Sequence, residues 1–225
     1  MPKPQSDVVS VKPIAKIGNR ACLFLWVQVI FSCLTIPLGM AALAFGPIPP
    51  GDNPALSTGQ MIVGVLQLIT GGLGFIAYLI TAYFVCMWMH RAYGNLLATR
   101  VQGLTYKASD PISSWFIPLA NFVMPYRIMS ELYRGSGFID PSTEWKNTTT
   151  PRNIKLWWIL YLLMGIVGQI AFRTPGDMAQ VAQIGCDAAS IAGAVLLVRI
   201  IKEINHRQCH KIPELAGSLE VNKGS

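Results

Sequence analysis

The sequence predicts an all-α polytopic membrane protein: four transmembrane helices, a cytoplasmic re-entrant or interfacial element, and both termini in the cytoplasm. Three observations carry that prediction. Four apolar runs, at about residues 21–45, 61–89, 154–172 and 178–201, each reach the roughly 18–20 residues that a helix needs to cross about 30 Å of hydrocarbon. Of the 225 residues, 52% are hydrophobic and only 13% charged, more apolar than one soluble core requires. Of the eighteen Lys and Arg residues, all but Arg173 lie outside the two loops that join the first span to the second and the third to the fourth. Cationic side chains are retained on the cytoplasmic face during insertion, so both termini and the central loop belong there. The organisation is then a basic tail over residues 1–20, one membrane domain over 21–205 and a second tail over 206–225.

The elements follow in order. Residues 1–20 are polar and basic, with Pro2 and Pro4, which predicts a loose tail. The first apolar run is too long for the apolar core of a signal peptide and reads as an uncleaved span. Gly46-Pro47-Ile48-Pro49-Pro50-Gly51 after it is too rich in Pro and Gly for helix or strand. The second run would extend about 43 Å as a helix, more than the hydrocarbon thickness. No stop signal precedes about Thr99, so its last turns, with Trp88, Arg91 and Asn95, are expected to project beyond the bilayer.

Residues 113–134 form the re-entrant or surface-lying element. Its apolar patch, Trp115 to Met124, is too short to span and contains Pro118 and Asn121. Pro125 suits the first turn of a helix ending near Arg134. Ile128, Met129, Leu132 and Tyr133 then share one side, with Arg127, Ser130, Glu131 and Arg134 on the other. Gly135 to Asn153 reads as a polar loop, and Trp157 and Trp158 as an interfacial aromatic belt. Arg173-Thr174-Pro175-Gly176-Asp177 is a tight turn that makes the last two spans a hairpin.

Several classes are excluded by what the chain lacks. The net charge of +7 flanks spans and suits anionic lipid headgroups; no basic-aromatic module points to nucleic acid. The five cysteines are scattered, with no C-x-x-C pair. Asn147-Thr148-Thr149 matches a glycosylation sequon but falls on the cytoplasmic side. No nucleophile elbow, P-loop, H-E-x-x-H or dinucleotide fingerprint occurs, so no catalytic residue is nominated and a non-enzymatic role is expected.

A resemblance sharpens the central block. Trp88-x2-Arg91-x3-Asn95, Trp115-Phe116-x-Pro118-x2-Asn121-x3-Pro125-Tyr126 and Glu131-Leu132-Tyr133-Arg134 resemble a bacterial membrane-protein family, domain of unknown function 4328. Asp140-Pro141, Trp145, Pro151 and Trp157-Trp158 extend the likeness to about residues 60–205. The resemblance implies a bacterial cytoplasmic (inner) membrane location and a shared architecture, and no reaction.

Two constellations stand out. Asp187 lies about ten residues into the last run, where a carboxylate costs about 2.5–3.5 kcal/mol on insertion scales. Gln180, Gln183, Asp187 and Ser190 share its helical face. Comparable stripes occur at Gln28, Ser32 and Thr35; at Gly64, Gln67, Gly71 and Gly74; and at Gly165, Gln169 and Arg173. Stripes of this kind let helices approach and hydrogen-bond in lipid, within one chain or in a homo-oligomer. They read as packing seams or, alternatively, as a polar path past Asp187.

The second constellation is Arg91, Asn95, Asn121, Glu131 and Arg134 around Trp88, Trp115 and Tyr126, with Glu131 expected as the counter-charge of Arg91. It reads as a polar clasp on the Pro118–Pro125 element or as a site for a lipid headgroup or small anionic ligand. No cofactor is expected. His206, Cys209 and His210 are weak metal candidates, and His90 a weak haem candidate. The functional expectation is a binding protein that engages lipids, a ligand or other membrane proteins. The alternatives are a small transporter or channel subunit with a path past Asp187, and a haem- or metal-binding subunit.

Overall fold

The computed structural model describes residues 11–46, 56–99, 101–137, 143–174 and 176–221, with side chains up to residue 210. The first ten residues, most of the proline-rich loop after the first span, Arg100, Asp140, Pro141, Pro175 and the last four residues lie outside them. All described secondary structure is helical, with no strand among the described residues. The helices are α1 (Ala15–Phe45), α2 (Thr58–Ala98), α3 (Asp110–Ser113), α4 (Met124–Gly135), α5 (Arg152–Arg173) and α6 (Asp177–Val221). Short 3-10 turns occupy Ala120–Phe122 and Glu144–Asn147.

Four of these, α1, α2, α5 and α6, are long and apolar enough to cross a membrane. Only 22%, 6%, 17% and 33% of their most apolar stretches are buried within the chain. Leu68 is 77% exposed and Phe172 90%. Apolar faces bared on this scale would drive association in water, whereas lipid tails solvate them as well as another helix would. The pattern is that of a multi-pass membrane protein. α2 runs unbroken for 41 residues because it contains no proline. α1 accommodates Pro37 within its length, as spanning helices can.

The described residues form two compact units. One is built from Arg20–Tyr83 and Arg152–Arg199. Within it α6 meets α1 at Gly39, where a Cβ would stand 2.6 Å from Gln180 Nε2. It meets α5 at Met164, whose carbonyl accepts a weak bond from Cys186 Sγ at 3.9 Å. α5 turns into α6 through Gly176, whose φ of +77° only glycine adopts freely. Trp157 and Trp158 are 5% and 6% exposed. The expected aromatic belt is therefore packed inside the chain, with Trp158 stacked on Tyr161.

The other unit is built from the described parts of Met1–Asn19, Phe84–Pro151 and Ile200–Ser225. Its core is Trp88, Met89, Tyr93, Ile128, Met129, Leu132, Trp145, Ile201 and Ile204. Three expectations are corrected here. The N-terminal segment is not a loose tail through residue 20: α1 begins at Ala15, and Ile14 and Ile17 are buried. The chain after 205 does not leave the fold, because α6 continues and Gln208 is 3% exposed. Nor does α4 have one polar side: Ser130 and Glu131 are 4% and 7% exposed alongside its apolar residues. Burial of that face is tolerable because each polar group has a partner there, Ser130 in Thr150 and Glu131 in two donors described below.

Candidate functional site

The Trp88–Asn95 stretch of α2 supplies the centre of a buried polar network. Asn95 Oδ1 accepts from the Lys12 amide at 2.9 Å, and Nδ2 donates to the Lys12 carbonyl at 2.9 Å and to Gln208 Oε1 at 3.2 Å. Gln208 Nε2 donates to the Ala92 carbonyl and to Ser136 Oγ, both at 3.0 Å. The fully buried Trp88 donates its indole N–H to Asn205 Oδ1 at 2.8 Å. Neutral amides answer one another here, so nothing charged has to be desolvated.

Glu131 does not pair with Arg91. Its Oε2 accepts from the Tyr93 hydroxyl at 2.9 Å and the Thr105 amide at 3.2 Å. The Tyr93 oxygen in turn accepts from the Tyr106 amide at 3.1 Å. Helix geometry explains the correction: residues two apart point about 200° from each other, so with Tyr93 turned to α4, Arg91 faces elsewhere. Arg91 is half-buried and makes no hydrogen bond or ion pair among the described residues.

Among the described residues an ion pair joins Arg207 to Glu203 at 2.7 Å. Arg207 Nη2 also donates to the Tyr133 hydroxyl at 2.7 Å, and the guanidinium lies 4.0 Å from the Tyr133 ring centroid. Tyr133 donates to Glu203, and burial together with that carboxylate pushes its phenol up to about 12. Arg134 and Lys146 stand 5.2 and 5.7 Å from the ring centroid of the buried Trp145.

The remaining predicted residues of this constellation divide. Pro125 is buried, while Trp115, Asn121 and Tyr126 are half-buried and Pro118 is exposed. Ser114 Oγ and Asn121 Oδ1 are buried without a hydrogen-bond partner among the described residues. Sequence reasoning missed Tyr93, Glu203, Asn205, Arg207 and Gln208. A signal existed for two of them: Ile201, Ile204, Asn205 and Gln208 repeat at helical spacing, hidden among charged residues that look like a tail.

In the other unit Asp187 is half-buried and bridges two elements. Its Oδ2 accepts from Thr35 Oγ1 of α1 at 2.8 Å and its Oδ1 from Gln183 Nε2 at 3.3 Å. Gln67 of α2 donates to Gln180 at 3.3 Å. These bonds join stripes that the sequence places on three helices. Ser190 is half-buried and takes no part in these bonds. Gly64 and Gly71 are exposed, and a Cβ at either would meet nothing within 4 Å, Gly64 lying at the edge of a cleft. An open cleft of about 220 Å³ lies among Phe45, Gln60, Gln67, Gly176, Asp177 and Gln180.

Two of the metal candidates meet. His206 and His210 pack edge to face, 4.3 Å between centroids, but no group of three His, Cys, Asp or Glu gathers among the described residues. His90 Nδ1 is in contact with the Ala108 carbonyl.

No curated protein and no solved structure matches the chain. A family model does match, over residues 53–206, more than half of the sequence and inclusive of α2, α4, α5 and the Trp88–Asn95, Trp115–Tyr126 and Glu131–Arg134 motifs. The chain belongs to the family described as domain of unknown function (DUF4328).

Proposed function

We propose that this is a non-enzymatic binding protein of the bacterial cytoplasmic membrane, one that holds an anionic group, a lipid phosphate or a small anionic ligand, with Arg91 at its cytoplasmic face. The observation that carries this reading is an imbalance. Arg91 is half-buried and has no counter-charge among the described residues, while both donors to Glu131 are neutral. A guanidinium partly removed from water favours an oxyanion that can accept two of its N–H groups. Membrane lipids are the nearest source of such groups, and other membrane proteins or a second copy of the chain are the further partners.

Purification in native lipid discs, with mass spectrometry of what is retained, tests the reading. Losing a charge-assisted hydrogen-bond donor costs about 1.5–3 kcal/mol, so Arg91→Gln should release the bound anionic species by roughly 10- to 100-fold. Retention of the same species at the same stoichiometry would refute it.

A second reading rests on the other unit. The polar residues of α6 begin in the open cleft at Gln180 and continue down one face to Asp187, held by Thr35. A small transporter could use that line as a solute or proton path. Asp187→Asn would then abolish flux in liposomes, whereas the binding reading expects no flux to abolish.

A further inference from the structure

We infer that the segment from Trp115 to Val123 is a shallow wedge that inserts into an anionic phospholipid surface. Phe116, Ile117, Leu119, Phe122 and Val123 are 78%, 51%, 84%, 58% and 44% exposed. Five bulky apolar side chains bared within eight residues would be costly if water covered them. The ends of the segment are anchored, since Pro111, Ser114 and Pro125 are buried, so the apolar tip is held in a set position.

Part of the backbone is closed on itself. The amides of Trp115, Phe116, Asn121 and Val123 donate to the carbonyls of Ile112, Ser113, Ile117 and Ala120 at 3.2, 3.1, 2.8 and 3.0 Å. Pro118 has no amide to satisfy. No charged residue occurs between Asp110 and Arg127. Within the tip the polar side chain Asn121 is half-buried, so the bared face is apolar and uncharged.

Charge selects the kind of lipid. In the unit that bears the wedge, Lys12, Lys16, Lys107, Arg127, Lys146 and Lys202 are exposed, against Glu144 as the exposed acid among the described side chains. An apolar tip on a cationic body is the pattern that binds anionic interfaces, where headgroup attraction and apolar insertion act together. The inference stands apart from the reading at Arg91.

A photoreactive benzophenone side chain at Leu119 or Phe116 of the full chain tests it, with Lys107 as the control position. The protein is reconstituted in vesicles of phosphatidylglycerol or of phosphatidylcholine. Light should yield phospholipid adducts at positions 116 and 119 severalfold above those at 107. The yield should be higher in phosphatidylglycerol and fall when Lys107→Glu and Arg127→Glu are combined. Adducts to protein, or none, would overturn the wedge. Equal yields in both membranes would overturn the assignment to anionic lipid. Arg91→Gln should leave the adducts unchanged, so a failure at Arg91 and a failure here are distinguishable.

Discussion

Gly18→Ala tests the packing of the amide network through the sign of its effect. A glycine inside a helix ordinarily costs about 1 kcal/mol relative to alanine, so the substitution should stabilise α1 if space allows. It does not allow it. A Cβ at position 18 would stand 2.2 Å from Asn205 Nδ2 and 3.1 Å from Asn205 Cγ and Oδ1. Asn205 must therefore swing away, and its Oδ1 is the acceptor for the Trp88 indole N–H at 2.8 Å. Trp88 is fully buried, so the orphaned donor costs about 1–3 kcal/mol. Overpacking around it adds about 1–3 kcal/mol. Less the propensity gain, the net loss is about 1–5 kcal/mol.

The comparison is Gly64→Ala, since a Cβ at Gly64 meets nothing within 4 Å. Unfolding in mixed micelles of increasing denaturing detergent, followed by tryptophan fluorescence, gives both values. Gly18→Ala should unfold earlier than wild type, and Gly64→Ala no earlier. Adding Asn205→Ala removes the clash, so the pair should show a strong stabilising coupling in a double-mutant cycle. If Gly18→Ala proved as stable as Gly64→Ala, the close approach of α1 to Asn205 would be wrong.

Two further outcomes follow from the same unit. Glu131→Gln keeps an oxygen for the Tyr93 hydroxyl and the Thr105 amide and should cost less than about 1 kcal/mol, whereas Glu131→Leu strands both donors and should cost about 2–5 kcal/mol; equal damage from both, read by the same unfolding assay, would mean that the charge itself is needed. The Tyr133 phenol titrates above its ordinary value of 10.0, at about 12, so the folded state holds the proton more tightly. Its stabilising effect is complete below pH 10 and is lost as pH rises to about 12, about 1 kcal/mol once solvent screening at the partly exposed Glu203–Arg207 pair is allowed for. Tyr133→Phe should flatten that part of the stability–pH curve, and an unchanged alkaline loss would exclude Tyr133 as its source.

The four long helices were legible because bilayer-length apolar runs have few other solutions, and α2 was expected to about Thr99 because nothing in its sequence stops it. The ends of α1 and α6 were not. Residues 15–20 mix Lys16, Asn19 and Arg20 with apolar residues, and their local polarity reads as a tail. Yet Ile14, Ile17, Ala21 and Leu25, all buried, recur at steps of three and four, a helical face visible once the charged residues are assigned to its opposite side. The same holds for Ile201, Ile204 and Gln208 in α6. Polarity averaged over a window hides such a stripe, and periodicity recovers it.

Pairing residues by opposite charge failed at Arg91 and Glu131 for a different reason. Exposed or half-exposed ion pairs are worth about 0–1 kcal/mol, too little to choose which face of a helix turns inward. Burial of Ala92, Tyr93 and Leu96 makes that choice, and it carries Tyr93, not Arg91, to the carboxylate. Once Tyr93 and Thr105 answer Glu131, an arginine brought to the same place would add the cost of desolvating a second charge for little return. The packing of α2 thus favours a neutral partner inside and leaves the guanidinium outside the pairing with Glu131.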